Sequence, residues 1–526
     1  MDQNVKALHR LAVAAINERD FTKCEALSAQ ILDVDSQVAD AWFLRAMSFL
    51  AMGKLQVSLA NLLKALKLEP TNPEYLGQFA KLCLMVNEPA RAGEAARRVL
   101  ALCSQDALTL DTVGVVLTKL ADYESAYNAL KRAVEICPDN SQFNFNLASA
   151  AHFIGNESEA ETYYLEAIAL NPKFARAYWA LSELYKNRHE RAPQTQALEA
   201  LLEGRELNAE DELYLCHTLA RIREDEGRFV DSFKLLNRGK RRFGERISYS
   251  WEDDQSLFNS IKKSYPLVQG SPQAMSLGEE AIFVLGMPRS GTTLVDRILS
   301  THSSVQSLGE LQNFALVTKQ LTKSKTASVL DEDVNTKMNQ LNLIQVGQAY
   351  LSSLINRDRQ QPKFVDKTPL NFLQLGLICE SLPAAKIILV RRNAMDTCLS
   401  NFRQLFAVSF SYYNYQYSLK DTANYYRLFD DLMAFWAGLY GDRIHTVNYE
   451  DLLDRPESES KKMLEHCGLE WEEQCLRFYE NKAAVATASA MQVREPIYKT
   501  SVARWKKYES QLQDAKLVFD AAGIKY

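Results

Sequence analysis

The stretch VLGMPRSGTTLVDRILSTH, residues 284–302, sets Gly286 and Gly291 five positions apart and places Arg289, Ser290, Thr292 and Thr293 in and beside the turn they bracket. A turn of this kind, ahead of a helix, aims backbone N–H groups and the positive end of the helix dipole at one anion. A nucleotide-hydrolysing loop of the same outline keeps a lysine where Thr292 stands, because that side chain neutralises the outer phosphates while the next hydroxyl binds magnesium. Without the lysine, Arg289 is the cation inside the loop. Together with the three hydroxyls it suits a 5′-phosphate held without a metal.

The elements that must position these residues are legible around them. AIFVLG, residues 281–286, is a short apolar run of the type a buried parallel strand shows, and Leu294, Ile298 and Leu299 recur at helical spacing beyond the turn. KIILVR and RIHTVNY read as further strands, with a helical DTCLSNF between them. Alternation of strand and helix predicts an α/β domain with a central parallel sheet and helices on both faces. Arg392 then ends a strand, and Ser400 lies about two turns along the next helix. Glu310 follows Gly309 at a strand end, where a carboxylate can reach an acceptor hydroxyl as a general base. An acid opposing a helix dipole fits the same position, since LQNFALVTKQL after it reads as helical. In FVDK, Asp366 invites a rival assignment as the metal-binding acid of a nucleotidase. The short apolar run before it and the missing loop lysine weigh against that.

The 526 residues are 47% hydrophobic and 24% charged, a globular profile with room for two or three cores. A formal net charge of -5 argues against a general nucleic-acid binder. No run of about 18 apolar residues predicts a membrane span, and the charged N-terminal stretch does not read as a secretory leader. Nine scattered cysteines without CxxC spacing fit reduced thiols and a cytoplasmic location. The seven histidines are dispersed, and no metal site is expected.

The first half repeats. Pro70, Pro138 and Pro172 fall on a 34-residue spacing, with Ser36 and Ser104 completing the series. Small residues keep the same step: Ala12, Ala46, Ala80, Gly114, Ala148 and Ser182 in one register, Ser58, Ala92, Ala126 and Ala160 in another. Two small positions per unit are what closely crossing helices need. With Trp42, Ala65 and Ala133 at signature offsets, residues 5–208 resemble about six tetratricopeptide repeats. The pattern degrades through KNRHERAPQTQ, and helical periodicity returning near DELYLCHTLARIRED predicts one or two capping helix pairs before about Phe243. The expected organisation is a helical solenoid over residues 1–245, a linker over 246–277 containing Gly270, Ser271 and Pro272, and an α/β domain over 278–526.

PRSGTT followed by RRNAMDTCLS resembles the two cofactor motifs of sulfotransferases that use 3′-phosphoadenosine 5′-phosphosulfate (PAPS). Within that family, SLGEL with Glu310, DKTP with Lys367 and VNYEDLL with Tyr449 resemble the tyrosylprotein sulfotransferases and their repeat-bearing bacterial relatives. The resemblance implies a first loop, Arg289, Ser290, Gly291, Thr292 and Thr293, around the 5′-phosphosulfate, and Arg392 with Ser400 on the 3′-phosphate. It implies Tyr449 at the cofactor, Glu310 as base, and Arg289 with Lys367 stabilising the departing phosphate. The late segment VREPIYKTSVARWKKYE sets Arg494, Lys499, Arg504, Lys506 and Lys507 around Trp505 and resembles the segment that closes over the cofactor. Ala503 stands where the animal enzymes have a serine, so Ser501 is the nominated assisting hydroxyl and Arg504, Trp505 and Lys506 the nominated contacts. The implied acceptor is a protein or peptide tyrosine, with a glycan hydroxyl as the alternative and a non-catalytic repeat scaffold as the alternative of another class. The repeats would recruit the acceptor or another protein. SFSYYNYQY, residues 409–417, suits an acceptor cleft or an interface, and equally suits packing against the repeats.

Overall fold

The computed structural model describes residues 3–526 except 87, 186–194, 205–206, 266–275, 327, 356–358, 409, 482–495 and 498–500. Most of KNRHERAPQTQ, the turn at Gly270, Ser271 and Pro272, and Arg494 and Lys499 lie outside the described residues. The chain divides into two compact units, Met1–Pro193 and Gln194–Tyr526.

The first unit runs through eleven helices among the described residues, from Gln3–Asn17 to Ala175–Leu184, each packed on its neighbours in the chain. Both small-residue registers sit at the helix crossings. Ala12, Ala46, Ala80, Ala92, Ala126, Ala148, Ala160 and Ser58 have no exposure, and a Cβ on Gly114 would stand 2.5 Å from Leu130 Cγ. The 34-residue series has its own physical cause. The carbonyls of Ser36, Pro70, Ser104, Pro138 and Pro172 are each taken by a side chain: Trp42 Nε1 at 3.0 Å, Arg98 Nη2 at 2.8 Å, Arg132 Nη2 at 2.9 Å, Asn144 Nδ2 at 2.7 Å and Tyr178 Oη at 3.3 Å. Each turn between units is thereby closed at the same place.

The second unit is built on a five-stranded, all-parallel sheet of β1 (Ala281–Gly286), β2 (Val305–Ser307), β3 (Lys363–Asp366), β4 (Lys386–Arg391) and β5 (Ile444–Asn448), in the order β2-β3-β1-β4-β5. Alternate residues of β1 feed two different cores. Ile282 and Val284 pack with Val295, Ile298, Val365, Ile388 and Val447 on one face, while Ala281, Phe283 and Leu285 join Phe364, Ile387, Leu389 and the helix Leu419–Tyr440 on the other. Both faces are covered, which is why the strand reads as a continuous apolar run.

Two expectations about boundaries are corrected. The helices Ala209–Asp225 and Phe229–Gly244, anticipated as a cap on the repeats, group with the second unit. Ala220 and Leu236 are buried in its larger core, Glu224 meets Arg403 and Arg504, and Lys240 donates to Gln404 O and Gln416 Oε1 at 3.0 Å each. The stretch 246–277, anticipated as a linker, contains the helix Trp251–Lys263, whose Phe258 and Ile261 belong to the same core. Among the described residues no helix is long and apolar enough to cross a membrane.

Candidate active site

All five strands point their carboxyl ends the same way, and each delivers a polar side chain there. Read across the sheet, Glu310 follows β2, Lys367 follows β3, the loop with Arg289 follows β1, Arg392 follows β4 and Tyr449 follows β5. The carboxyl edge of an open parallel sheet is where such folds place ligands.

The β1 turn depends on its glycines. Gly286 has φ +148°, and a Cβ there would lie 2.4 Å from Val390 O on the neighbouring strand. Gly291 has φ +108° and sits against the Tyr449 ring, with 2.4 Å between an added Cβ and Cδ2. Arg289 itself adopts φ +67°, a strained choice for a residue with a side chain. Asn401 holds the turn from behind by donating to Pro288 O at 2.7 Å, and Tyr415 in turn donates to Asn401 Oδ1 at 3.0 Å. Tyr415 is fully buried, stacked 4.0 Å from Tyr425, and Tyr417 packs 5.1 Å from Phe243. Within the tyrosine-rich stretch, Tyr415 therefore braces the turn, while Tyr417 packs on the helix Phe229–Gly244 and Tyr412 Oη accepts from Leu330 N at 2.9 Å.

Next to the turn lies a cleft with an empty volume of about 800 Å³, open mouth included. Among the described residues four arginines line it, Arg289, Arg392, Arg403 and Arg504, with Gly291, Thr293, Ser400, Tyr449, Ser501 and one acid, Asp396. Arg289 Nε reaches Ser400 Oγ at 3.5 Å. Arg392 donates to Arg289 O at 3.2 Å and to Ser501 O at 2.5 Å, with its guanidinium 5.0 Å from the Tyr449 ring centre. Tyr449 Oη and Ser501 Oγ share a hydrogen bond of 2.9 Å. Asp396 faces Arg392 Nη2 at 4.0 Å, and its oxygens accept from Ala503 N at 2.7 Å and Trp505 N at 2.9 Å. Those two bonds dock the late basic segment onto the helix Ala394–Arg403.

Beyond β3, Lys367 is 1% exposed and its Nζ meets Glu310 Oε1 at 2.5 Å, while the Lys367 N–H donates to Gly309 O at 2.9 Å. Asp296, on the helix Thr292–Ser300, is buried nearby; burial pushes its carboxyl up, and Lys367 pulls it back down. Asp366 is fully buried, and burial raises its carboxyl to about 6 against hydrogen bonds from Thr368 and Tyr350 at 2.7 and 2.8 Å. Both of its oxygens are engaged by hydrogen bonds inside the fold. Among the described residues no group of three or more His, Cys, Asp and Glu is placed to hold a metal.

The sequence-nominated residues separate into four sets. Arg289, Gly291, Thr293, Arg392, Ser400, Tyr449, Ser501 and Arg504 line the cleft. Ser290 and Thr292 are buried within the turn, 1% and 4% exposed, and Glu310 with Lys367 forms a separate pair at the strand ends. Trp505 and Lys506 are not brought to the cleft. Trp505 packs its ring 5.9 Å from Tyr526 and Lys506 is exposed, because the short helical segment that begins at Arg504 turns successive side chains to different sides. Sequence reasoning missed Asp396, Arg403 and Glu224. Asp396 was visible inside the RNAMD motif, and Arg403 stands three residues after Ser400 on one helical face. Nothing local marked Glu224.

The cleft fits a phosphorylated nucleotide. Its walls supply cations and hydroxyls, the helix Thr292–Ser300 begins at it, and two buried polar atoms, Ser290 Oγ and Arg392 Nε, have no hydrogen-bond partner among the described residues.

Residues 281–473 match the profile of the sulfotransferase family, and residues 39–72, 110–140 and 141–174 match that of the tetratricopeptide repeat. The chain is similar to an uncharacterised protein of Aquifex aeolicus, 30% identical over 399 residues, which cover 74% of this chain and 51% of that one. It thus spans about half of that relative's length. It is similar to a putative protein-tyrosine sulfotransferase of Caenorhabditis briggsae, 25% identical, covering 43% of this chain and 81% of the relative. Among solved structures it is similar to PilF of Pseudomonas aeruginosa, 25% identical over 38% of this chain and 90% of that one, with a TM-score of 0.33. Following its tetratricopeptide repeats, this chain carries a domain of the sulfotransferase family across residues 281–473.

Proposed function

We propose that the protein transfers a sulfuryl group from PAPS to a tyrosine hydroxyl of a protein or peptide, with the repeats recruiting that acceptor or a partner. The observation that carries the reading is the row of Glu310, Lys367, Arg289, Arg392 and Tyr449 along one edge of the sheet, with the last three lining a cleft that holds four arginines among the described residues. Similarity to the protein-tyrosine sulfotransferase of Drosophila melanogaster, at 23% identity, and to the relative named a putative one in Caenorhabditis briggsae, at 25%, supports the acceptor class. The nine cysteines, scattered and without CxxC spacing, fit a cytoplasmic site of action.

Bound in the cleft, the nucleotide supplies the sulfuryl group. Arg392 and Ser400 hold its 3′-phosphate, while Arg289 and the N–H groups at the start of the helix Thr292–Ser300 hold the 5′ end. Glu310 takes the proton of the acceptor hydroxyl, and Lys367 fixes the direction of that carboxylate through its 2.5 Å contact. Arg289 faces the charge that grows on the departing phosphate, a role worth about 3 kcal/mol for one well-placed donor.

Calorimetric titration with adenosine 3′,5′-bisphosphate in chelator, beside magnesium-ATP, tests the reading. Tight, metal-independent binding of the bisphosphate alone is expected. Binding of magnesium-ATP alone would overturn it. Tyrosyl peptides, and not glycans, are expected to accept labelled sulfate from PAPS.

A further inference from the structure

Glu224 lies on the helix Ala209–Asp225, outside the residues that match the sulfotransferase family, yet it reaches the cleft's arginines. Its side chain is 6% exposed. Oε1 accepts from Arg504 Nε at 3.0 Å and Nη2 at 2.6 Å, and Oε2 accepts from Arg403 Nη2. Burial pushes its carboxyl up, but Arg403 and Arg504 outweigh that and hold it below the usual carboxylate range.

We propose that Glu224 is a positioning residue of the nucleotide cleft, holding Arg403 and Arg504 in its wall on the side of Arg392 and Ser400. The inference rests on the reading of that side as the 3′-phosphate pocket. One carboxylate divides its oxygens between two guanidiniums that arrive from different parts of the chain. Arg403 comes one helical turn after Ser400, and Arg504 comes from the late segment three residues after Ser501. A guanidinium has five donors in a planar fork, so each arginine can be gripped by Glu224 along one edge and offer another edge to an anion in the cleft it lines. Left without Glu224, two long cationic side chains would have to be ordered by the ligand itself, and that ordering opposes binding. The ring of Tyr508, 6.0 Å from the Arg403 guanidinium, closes the side away from solvent.

The test compares adenosine 3′,5′-bisphosphate with adenosine 5′-phosphate by calorimetry on the full chain and on Glu224→Gln, which keeps the side chain's size and removes its charge. The expected result is a loss of bisphosphate affinity of about tenfold, the scale of a charge-assisted hydrogen bond, with adenosine 5′-phosphate changed by less than about twofold. Tighter binding of both nucleotides would show that Glu224 acts only as an opposing charge, and equal weakening of both would show a merely structural role; either overturns the proposal. Should Glu224→Gln fail to fold, Arg504→Gln provides the second reading: it is expected to show the same selective loss, and wild-type affinity for the bisphosphate would overturn the proposal. A wild-type chain that does not prefer the bisphosphate overturns the nucleotide reading and this inference with it. A wild-type preference that Glu224→Gln retains in full overturns the inference alone.

Discussion

Glu310 and Lys367 come from the ends of adjacent strands, and their 2.5 Å contact is what makes each informative about the other. Lys367 is almost wholly buried while Glu310 is partly exposed, so the lysine fixes a carboxylate that still meets solvent or an acceptor. Glu310→Gln is expected to lower turnover by about 100-fold or more, the scale of a positioned base, and to leave the affinity for adenosine 3′,5′-bisphosphate unchanged. Single-turnover kinetics beside calorimetry separates the two quantities, and undiminished turnover would remove Glu310 from the mechanism. Asp366, one residue before Lys367, makes a prediction in pH. Its folded carboxyl titrates at about 6, above the ordinary 3.8, so the folded state holds the proton more tightly than the unfolded chain. Stability from this group is therefore greatest at low pH and falls as pH rises from about 4 to about 6. Asp366→Asn lacks that dependence and should gain on the wild type in urea unfolding between pH 4.5 and 7.5. A difference that stays constant across the window would refute the assignment.

At the scale of elements, the β1 turn is the part least able to change. Gly286 lies so close to Val390 O that a methyl group cannot enter unless β1 and β4 separate, and those strands share five paired positions. Gly286→Ala is expected to destabilise the second unit by about 2 kcal/mol or more, as overpacking against backbone does, and to abolish nucleotide binding with it. Thermal melting and calorimetry on the same sample check both, and an alanine variant with wild-type melting would contradict the close approach. The late segment is held to this frame by Asp396, whose two oxygens take the N–H groups of Ala503 and Trp505, by Arg392 donating to Ser501 O, and by Glu224 on Arg504. Ser501 and Arg504 therefore reach the cleft while Trp505 and Lys506 turn away from it.

At the scale of the whole molecule, the functional unit extends further toward the N-terminus than the family match. Ala220 and Leu236 lie in its larger core, and Lys240, fully buried, ties Gln404 and Gln416 together. A fragment of residues 194–526 is expected to unfold cooperatively in urea, whereas one of residues 246–526 should not, since it loses that core surface and leaves Arg403 without its carboxylate. Cooperative unfolding of the shorter fragment would return the helices Ala209–Asp225 and Phe229–Gly244 to a capping role.

The sequence by itself determined what depends on local chemistry and on period. Two glycines around Arg289, an Arg and a Ser spaced by a strand end and two helical turns, and small residues every 34 positions were enough for the turn after β1, the flanking strands and the solenoid, because each rests on contacts within one element or between chain neighbours. Only the tertiary structure decided which helices belong to which unit, that Tyr415 braces the turn through Asn401, that Trp505 and Lys506 face away, and that Glu224 meets two arginines 179 and 280 residues later in the chain. Pairings over such separations leave no local period. They exist because packing the sheet's two faces brings distant side chains to one buried point, where a charge requires a partner.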